Sequence, residues 1–130
     1  MRQQQGLTLA VHGGASASLD DDIRLFHRAR VVVGVHGAGL TNMLFCAPGA
    51  AVVELGVTEP CCGMYRHMAR ALGLRYAAHE LGQSAFHLSH VHVDVASVAR
   101  LVRQALEMDS RFDSDPASDA GAAAAAAAGA

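Results

Sequence analysis

A turn of small residues stands between a run of β-branched residues and a short helical pattern, and its composition suits anion binding. The turn consists of His36, Gly37, Ala38, Gly39, Leu40, Thr41 and Asn42. Backbone N–H groups at a helix start lack intrahelical partners and carry partial positive charge. Phosphate groups bind at such places, and glycine lets them approach the backbone closely. His36, Thr41 and Asn42 can add side-chain hydrogen bonds, so the turn is a predicted site for phosphate and sugar groups. A second interpretation of His36 is that it only orders the turn.

An acidic residue, Glu54, follows at the end of the next predicted strand. Ligands of open α/β sheets lie outside the carboxyl ends of the strands, where an acid binds ribose hydroxyls. The turn and Glu54 together therefore predict a nucleotide diphosphate site, with Glu54 on the ribose. Two alternatives stay open: a turn that is only a tight connection, and a Glu54 that is a surface carboxylate. Asn42 replaces the third glycine of the dinucleotide fingerprint, which disfavours an NAD-dependent oxidoreductase.

The elements around these residues alternate between short apolar runs and helical patterns, which predicts an α/β fold with a Rossmann-like parallel sheet and flanking helices. Strands are expected at residues 7–12, 30–35, 50–55 and 74–79. The second of them is a continuous β-branched run, expected to be buried on both faces. Helices are expected after a cap at Ser18 or Asp20, over residues 40–46, over residues 61–72 with Gly73 as the stop, and after a cap at Asp94.

Composition and charge bound the remaining possibilities. Residues 1–108 are predicted to form one domain, and the alanine-rich residues 109–130 a disordered tail, because the tail has little to bury. A net charge of −2 and a pI of about 6.4 give no sign of a nucleic-acid partner. No apolar stretch reaches the ~18 residues that span a bilayer. A membrane partner is therefore expected only through an anchor outside this sequence.

Histidines and cysteines give no metal-site pattern. His87, His90 and His92 fall in a segment without a nearby acidic cluster, so surface or packing roles are favoured over metal binding. No metal and no other cofactor is predicted. The cysteines have no metal-ligand spacing; they are Cys46, Cys61 and Cys62.

Two further patterns contain residues that could take part in chemistry. Arg66 and Arg70 are one helical turn apart and could reach a phosphate, but a solvated helix face is the favoured interpretation. His12 and the glycines after it are similar to the oxyanion loop of some esterases. The sequence contains no G-x-S-x-G nucleophile turn, which excludes that class of enzyme.

Residues 19–55 resemble the signature region of glycosyltransferase family 61, and the likeness extends over residues 19–76. An acidic–aromatic helix, a strand, the HGAGLTN turn, an apolar Phe, a Pro-Gly break and a strand ending in Glu occur in the family's order. The matching residues here are 20–26, 32–35, 36–42, Phe45, Pro48, Gly49 and Glu54, followed by Tyr65, Arg66, residues 72–74 and Tyr76.

The resemblance implies a fold like the C-terminal, donor-binding lobe of a GT-B glycosyltransferase. It implies inverting transfer of a pentose or N-acetylhexosamine from a UDP-sugar to a glycan or glycoprotein, in the Golgi or endoplasmic reticulum. Residues 36–42 would bind the diphosphate and sugar, and Glu54 the nucleoside. An N-terminal acceptor lobe has no counterpart here, so the catalytic base is unassigned and the chain alone is expected to be incomplete. The alternative is a non-catalytic nucleotide- or phosphate-binding module.

Overall fold

The computed structural model describes residues 7–13, 18–56, 63–81 and 92–107. These residues contain a three-stranded parallel sheet in the order β1-β2-β3. The strands are β1 (Val31–Val35), β2 (Ala51–Leu55) and β3 (Arg75–His79). The helices are α1 (Leu19–Arg28), a 3-10 helix (Ala38–Phe45), α2 (Met64–Ala71) and α3 (Val95–Leu106). The predicted α/β fold, a parallel sheet with flanking helices, is confirmed.

β2 is the centre of the structure, and all five of its residues are buried. On one face, Val52 packs in a cluster with Met43 of the 3-10 helix and Tyr65 of α2. On the other face, Val53 packs with Ala105 of α3. The sheet therefore has helices on both faces, which is the arrangement that parallel strands need to bury their apolar side chains.

The helix boundaries follow local signals that the sequence shows. Ser18 caps α1, since its hydroxyl accepts a hydrogen bond from the Asp21 N–H at 3.2 Å. Asp94 caps α3 by accepting from the Ala96 N–H at 3.2 Å. Gly73 follows the end of α2 with φ of 69°, a left-handed conformation that glycine adopts without strain. These predicted boundaries are confirmed.

The strand predicted at residues 7–12 is wrong. Residues 7–13 form neither helix nor strand, and Leu9 and Val11 are 89% and 86% exposed. A strand needs a hydrogen-bonded neighbour, and among the strands that the structure describes, β1 pairs with β2 alone. The segment instead contacts α1, where the His12 ring nitrogen Nε2 lies 3.0 Å from the Asp22 carboxylate.

The second predicted strand exists as β1, but its expected burial on both faces is wrong. Val33 and Val35 are 43% and 44% exposed. Within the described sheet β1 lies at an edge, so its side chains have fewer neighbours than those of the central β2. A β-branched run indicates a strand, whereas the place of that strand in the sheet depends on the whole fold.

The short helix predicted at residues 40–46 is a 3-10 helix that begins at Ala38. It packs closely on β1 because Gly34 has no side chain: a Cβ there would lie 2.8 Å from Leu40 Cδ2. Leu40 and Met43 are both buried beneath the helix. Close packing at Gly34 thus fixes the start of this helix against the sheet.

Several predictions lie outside the described residues. Cys61, Cys62, His87 and His90 are among them, as are residues 109–130. The helix predicted over residues 61–72 is described from Met64 onward. The domain boundary at residue 108 and the disordered tail stay predictions.

Candidate functional site

The turn of residues 36–42 begins at the carboxyl end of β1, beside the carboxyl end of β2. The His36 backbone N–H donates to the Leu55 carbonyl at 2.8 Å, which extends the β1–β2 ladder by one residue. The Leu40 N–H donates to the Gly37 carbonyl at 3.0 Å and closes the first turn of the 3-10 helix. The turn is therefore held at the edge of the sheet where parallel α/β folds bind their ligands.

Members of the turn differ in their access to solvent. Ala38, Gly39 and Thr41 are exposed, and Asn42 is partly exposed. Leu40 is buried in the core, so its predicted part in a ligand site is limited to its backbone. Apart from the neighbouring residues and the backbone of its own helix, no atom lies within 4 Å of the position that a Cβ at Gly39 would take. The surface around Gly39 thus has room for a ligand group close to the backbone.

Glu54 is a fully buried carboxylate in the central strand, with 0% of its surface exposed. One carboxylate oxygen, Oε1, is in contact with Nδ1 of the His36 ring. The other, Oε2, accepts a hydrogen bond from the Tyr76 hydroxyl at 2.5 Å. The alternative that Glu54 is a surface carboxylate is wrong, because the sheet brings His36 and Tyr76 over it from both neighbouring strands. Its contact with a ribose stays a prediction.

Two residues of α2 also contact this group, Tyr65 beside His36 and Arg66 beside Tyr76. The Tyr65 hydroxyl donates to the Gly37 carbonyl at 2.6 Å, and its ring meets the His36 ring edge-on, with the centroids 5.2 Å apart. The Arg66 guanidinium carbon lies 5.8 Å from the centre of the Tyr76 ring, within cation–π range. Arg66 is therefore part of this cluster and not only of a solvated helix face. Arg70 is exposed, as expected for such a face.

Sequence reasoning assigned no role to Tyr65 or Tyr76. A signal for Tyr76 exists in the strand pattern, because Val52 and Tyr76 are paired and Glu54 lies two residues further on the same face of β2. A carboxylate on a buried strand needs hydrogen-bond donors, and a tyrosine on the adjacent strand can supply one. Tyr65 has no comparable signal, since its contact with Gly37 depends on how α2 packs.

Other ionisable groups in the described ranges do not add a metal site. No group of three or more histidine, cysteine, aspartate or glutamate side chains there could hold a metal ion, and His92 is exposed. That the protein needs no metal stays a prediction. Burial raises the pKa of the Cys46 thiol, which follows the 3-10 helix, and so favours its protonated form. No helix of the described ranges has both the length and the apolar character to cross a membrane.

The sequence of the chain is similar to a known protein family and to several individual proteins. The family model described as glycosyltransferase 61 matches residues 4–53, a segment that includes the whole turn. The chain belongs to the glycosyltransferase 61 family. The resemblance to glycosyltransferase family 61 is thereby confirmed.

Individual proteins with glycosyltransferase names are also similar to parts of the chain. An EGF domain-specific O-linked N-acetylglucosamine transferase of Xenopus laevis is 30% identical over 110 residues, covering 74% of this chain and 21% of the relative. The Mus musculus protein of the same name is 40% identical over 57 residues, covering 43% of this chain and 10% of the relative. A beta-1,2-xylosyltransferase of Arabidopsis thaliana is 33% identical over 70 residues, covering 54% of this chain and 13% of the relative. This chain spans between 10% and 21% of the length of these relatives.

Proposed function

We propose that this chain is the donor-binding part of a glycosyltransferase, which holds the diphosphate and sugar of a UDP-sugar for inverting transfer. The observation that carries the proposal is the turn of residues 36–42 at the carboxyl edge of the parallel sheet. Relatives named as N-acetylglucosamine and xylose transferases support an N-acetylhexosamine or a pentose as the sugar.

The chemistry asked of the turn is the stabilisation of the leaving group. When the bond between the sugar and the diphosphate breaks, negative charge develops on the diphosphate oxygen. Preorganised N–H groups at the start of the 3-10 helix stabilise this charge without rearranging. His36 adds a hydrogen bond to the diphosphate or sugar, as do Thr41 and Asn42. The proton of the acceptor hydroxyl passes to a general base, which is not among the residues assigned here.

The partners and the compartment belong to the same proposal. The acceptor is a glycan or glycoprotein, which agrees with the EGF domain-specific activity in the names of two relatives. A separate acceptor lobe completes the site, and the Golgi or endoplasmic reticulum is the compartment. No metal takes part in this scheme.

The test is a thermal-shift titration of the full chain with UDP, UDP-N-acetylglucosamine, UDP-xylose and NAD. Ligands that bind only the native state raise the melting temperature, by the equivalent of about 2.7 kcal/mol at one hundred times Kd. Gly39→Asp and its neutral counterpart Gly39→Asn form a matched pair, because open space surrounds Gly39 and both side chains fit.

We expect uridine nucleotides to stabilise the wild type and Gly39→Asn, and Gly39→Asp to bind UDP at least about fivefold more weakly than Gly39→Asn. A fivefold loss corresponds to the ~1 kcal/mol repulsion of two charges 4 Å apart in water, and a drier site increases it. A cooperative melt that no uridine nucleotide shifts contradicts the proposal. Preference for NAD favours the oxidoreductase alternative. UDP binding without donor hydrolysis or transfer by the complete protein favours the non-catalytic module.

A further inference from the structure

The buried Glu54 carboxylate needs a physical explanation, because the core cluster on its face of the sheet is mostly apolar. Val52 precedes it on this face, and a cluster of apolar residues lies around it. Burying a carboxylate costs several kcal/mol unless hydrogen bonds compensate. Well-packed apolar residues often serve stability as well as or better than a buried ion pair, so packing alone does not explain Glu54. Its role is to be found in the groups that it contacts.

The hydrogen-bond chemistry of Glu54 determines the state of the His36 ring. If Glu54 is ionised, its carboxylate only accepts hydrogen bonds, and Nδ1 of His36 then carries the hydrogen that it shares with Oε1. The Tyr76 hydroxyl donates to Oε2, and this bond holds the carboxylate in one orientation. The neutral ring is therefore the Nδ1–H tautomer, and Nε2 is its second hydrogen-bonding atom.

The position of the ring is also fixed. The backbone N–H of His36 donates a hydrogen bond to the Leu55 carbonyl, and the Tyr65 ring packs edge-on against the imidazole ring of His36. Tyr65 also holds the carbonyl of Gly37, the next residue of the turn. Backbone, ring and tautomer of His36 are thus each determined by a separate contact, at the residue that opens the anion-binding turn.

We propose that Glu54 and Tyr76 are positioning residues, which hold His36 in the Nδ1–H tautomer so that its Nε2 meets the donor diphosphate or sugar. This inference rests on the proposed function of the turn. It gives Glu54 a role exercised through His36, in place of a direct contact with the ribose. The two roles predict different consequences when Glu54 is replaced.

The first experiment reads the His36 tautomer in the full chain by nitrogen-15 NMR of the imidazole ring, with His36→Gln used to assign the signal. Nδ1 is expected to carry the hydrogen in the wild type. In Glu54→Gln the side-chain amide can donate to Nδ1, so we expect the Nε2–H tautomer to become populated. Asp22→Asn is the matched control, since it changes the carboxylate beside His12 and leaves Glu54 untouched. A wild-type His36 in the Nε2–H tautomer overturns the inference.

The second experiment compares UDP with 2′-deoxy-UDP by calorimetry. If Glu54 positions His36, Glu54→Gln raises the Kd of both nucleotides by roughly tenfold and leaves the ratio of the two Kd values unchanged. If Glu54 binds the ribose, the wild type prefers UDP and Glu54→Gln removes that preference, which overturns the inference. Glu54→Gln with unchanged tautomer and unchanged affinity also overturns it.

The two proposals can fail separately. A wild type that binds neither nucleotide overturns the proposed function and with it the ligand role of His36. The tautomer measurement still decides whether Glu54 controls the ring. Should Glu54→Gln not fold, Tyr76→Phe carries the same readouts, because it removes one donor to Glu54 and keeps the ring. A Tyr76→Phe variant with wild-type tautomer populations and UDP affinity then counts against the role of Tyr76.

Discussion

Replacing Tyr76 by phenylalanine tests whether the buried Glu54 is ionised. The substitution removes one oxygen and keeps the buried ring in place. The lost hydrogen bond, 2.5 Å long, ends on a carboxylate that is 0% exposed, so no water can replace the donor without a rearrangement. Hydrogen bonds to charged groups contribute about 1.5–3 kcal/mol, and we expect Tyr76→Phe to lower the free energy of unfolding by about that amount.

Tyr65→Phe is the matched control for this prediction. Tyr65 is also buried, and its hydroxyl donates to the neutral carbonyl of Gly37 at 2.6 Å. A hydrogen bond between neutral groups contributes about 0.5–1.5 kcal/mol, so the control is expected to cost less than Tyr76→Phe. The two variants lose the same atom from the same residue type, and they differ in the charge of the acceptor.

Urea unfolding followed by circular dichroism measures both losses. With a slope of about 1–3 kcal/mol per M, a loss of 2 kcal/mol lowers the midpoint by about 1 M for Tyr76→Phe. Equal slopes in the variants would show that the native and unfolded states keep their compactness. Equal losses in the two variants, or a larger loss in Tyr65→Phe, would refute an ionised Glu54. Glu54 would then be neutral, and the argument for the His36 tautomer would fail with it.

Two further predictions concern stability. Gly34→Ala places a Cβ 2.8 Å from Cδ2 of the buried Leu40, and overpacking of this kind costs about 1–3 kcal/mol. Gly39→Ala meets no atom within 4 Å and should leave the urea midpoint nearly unchanged, so equal effects of the two would contradict the packing argument. The hydrogen bond from the Ser97 hydroxyl lowers the pKa of Asp94, and hydrogen bonds from backbone N–H groups contribute less. Ionised Asp94 therefore stabilises the fold above its ordinary pKa of 3.8, and this stabilisation is lost as the pH falls through the lowered pKa. The wild type should therefore have a higher melting temperature than Asp94→Asn at about pH 6, and the difference between the two melting temperatures should shrink towards about pH 2.5. A difference that stays constant with pH would contradict a stabilising role for ionised Asp94.

Much of the fold is predictable from local patterns along the chain. The caps at Ser18 and Asp94 and the stop at Gly73 appear where the sequence indicates them, because each depends on a side chain and backbone groups a few residues away. The order of strands and helices follows for the same reason. The residues of the turn are also recognisable, since glycine and small polar residues between a strand and a helix are a local pattern.

What the sequence by itself determined is therefore the identity of most elements, with residues 7–12 as the exception, and the location of the turn. The tertiary structure decided which strand is central: β2 is buried while β1 lies at an edge of the described sheet, and residues 7–12 pair with none of the strands that the structure describes. It also decided the state of Glu54. Its partners, His36 and Tyr76, are 18 and 22 residues away in the sequence, and only the pairing of three parallel strands brings them to one carboxylate. Contacts between distant residues depend on strand order and register, which no local pattern contains.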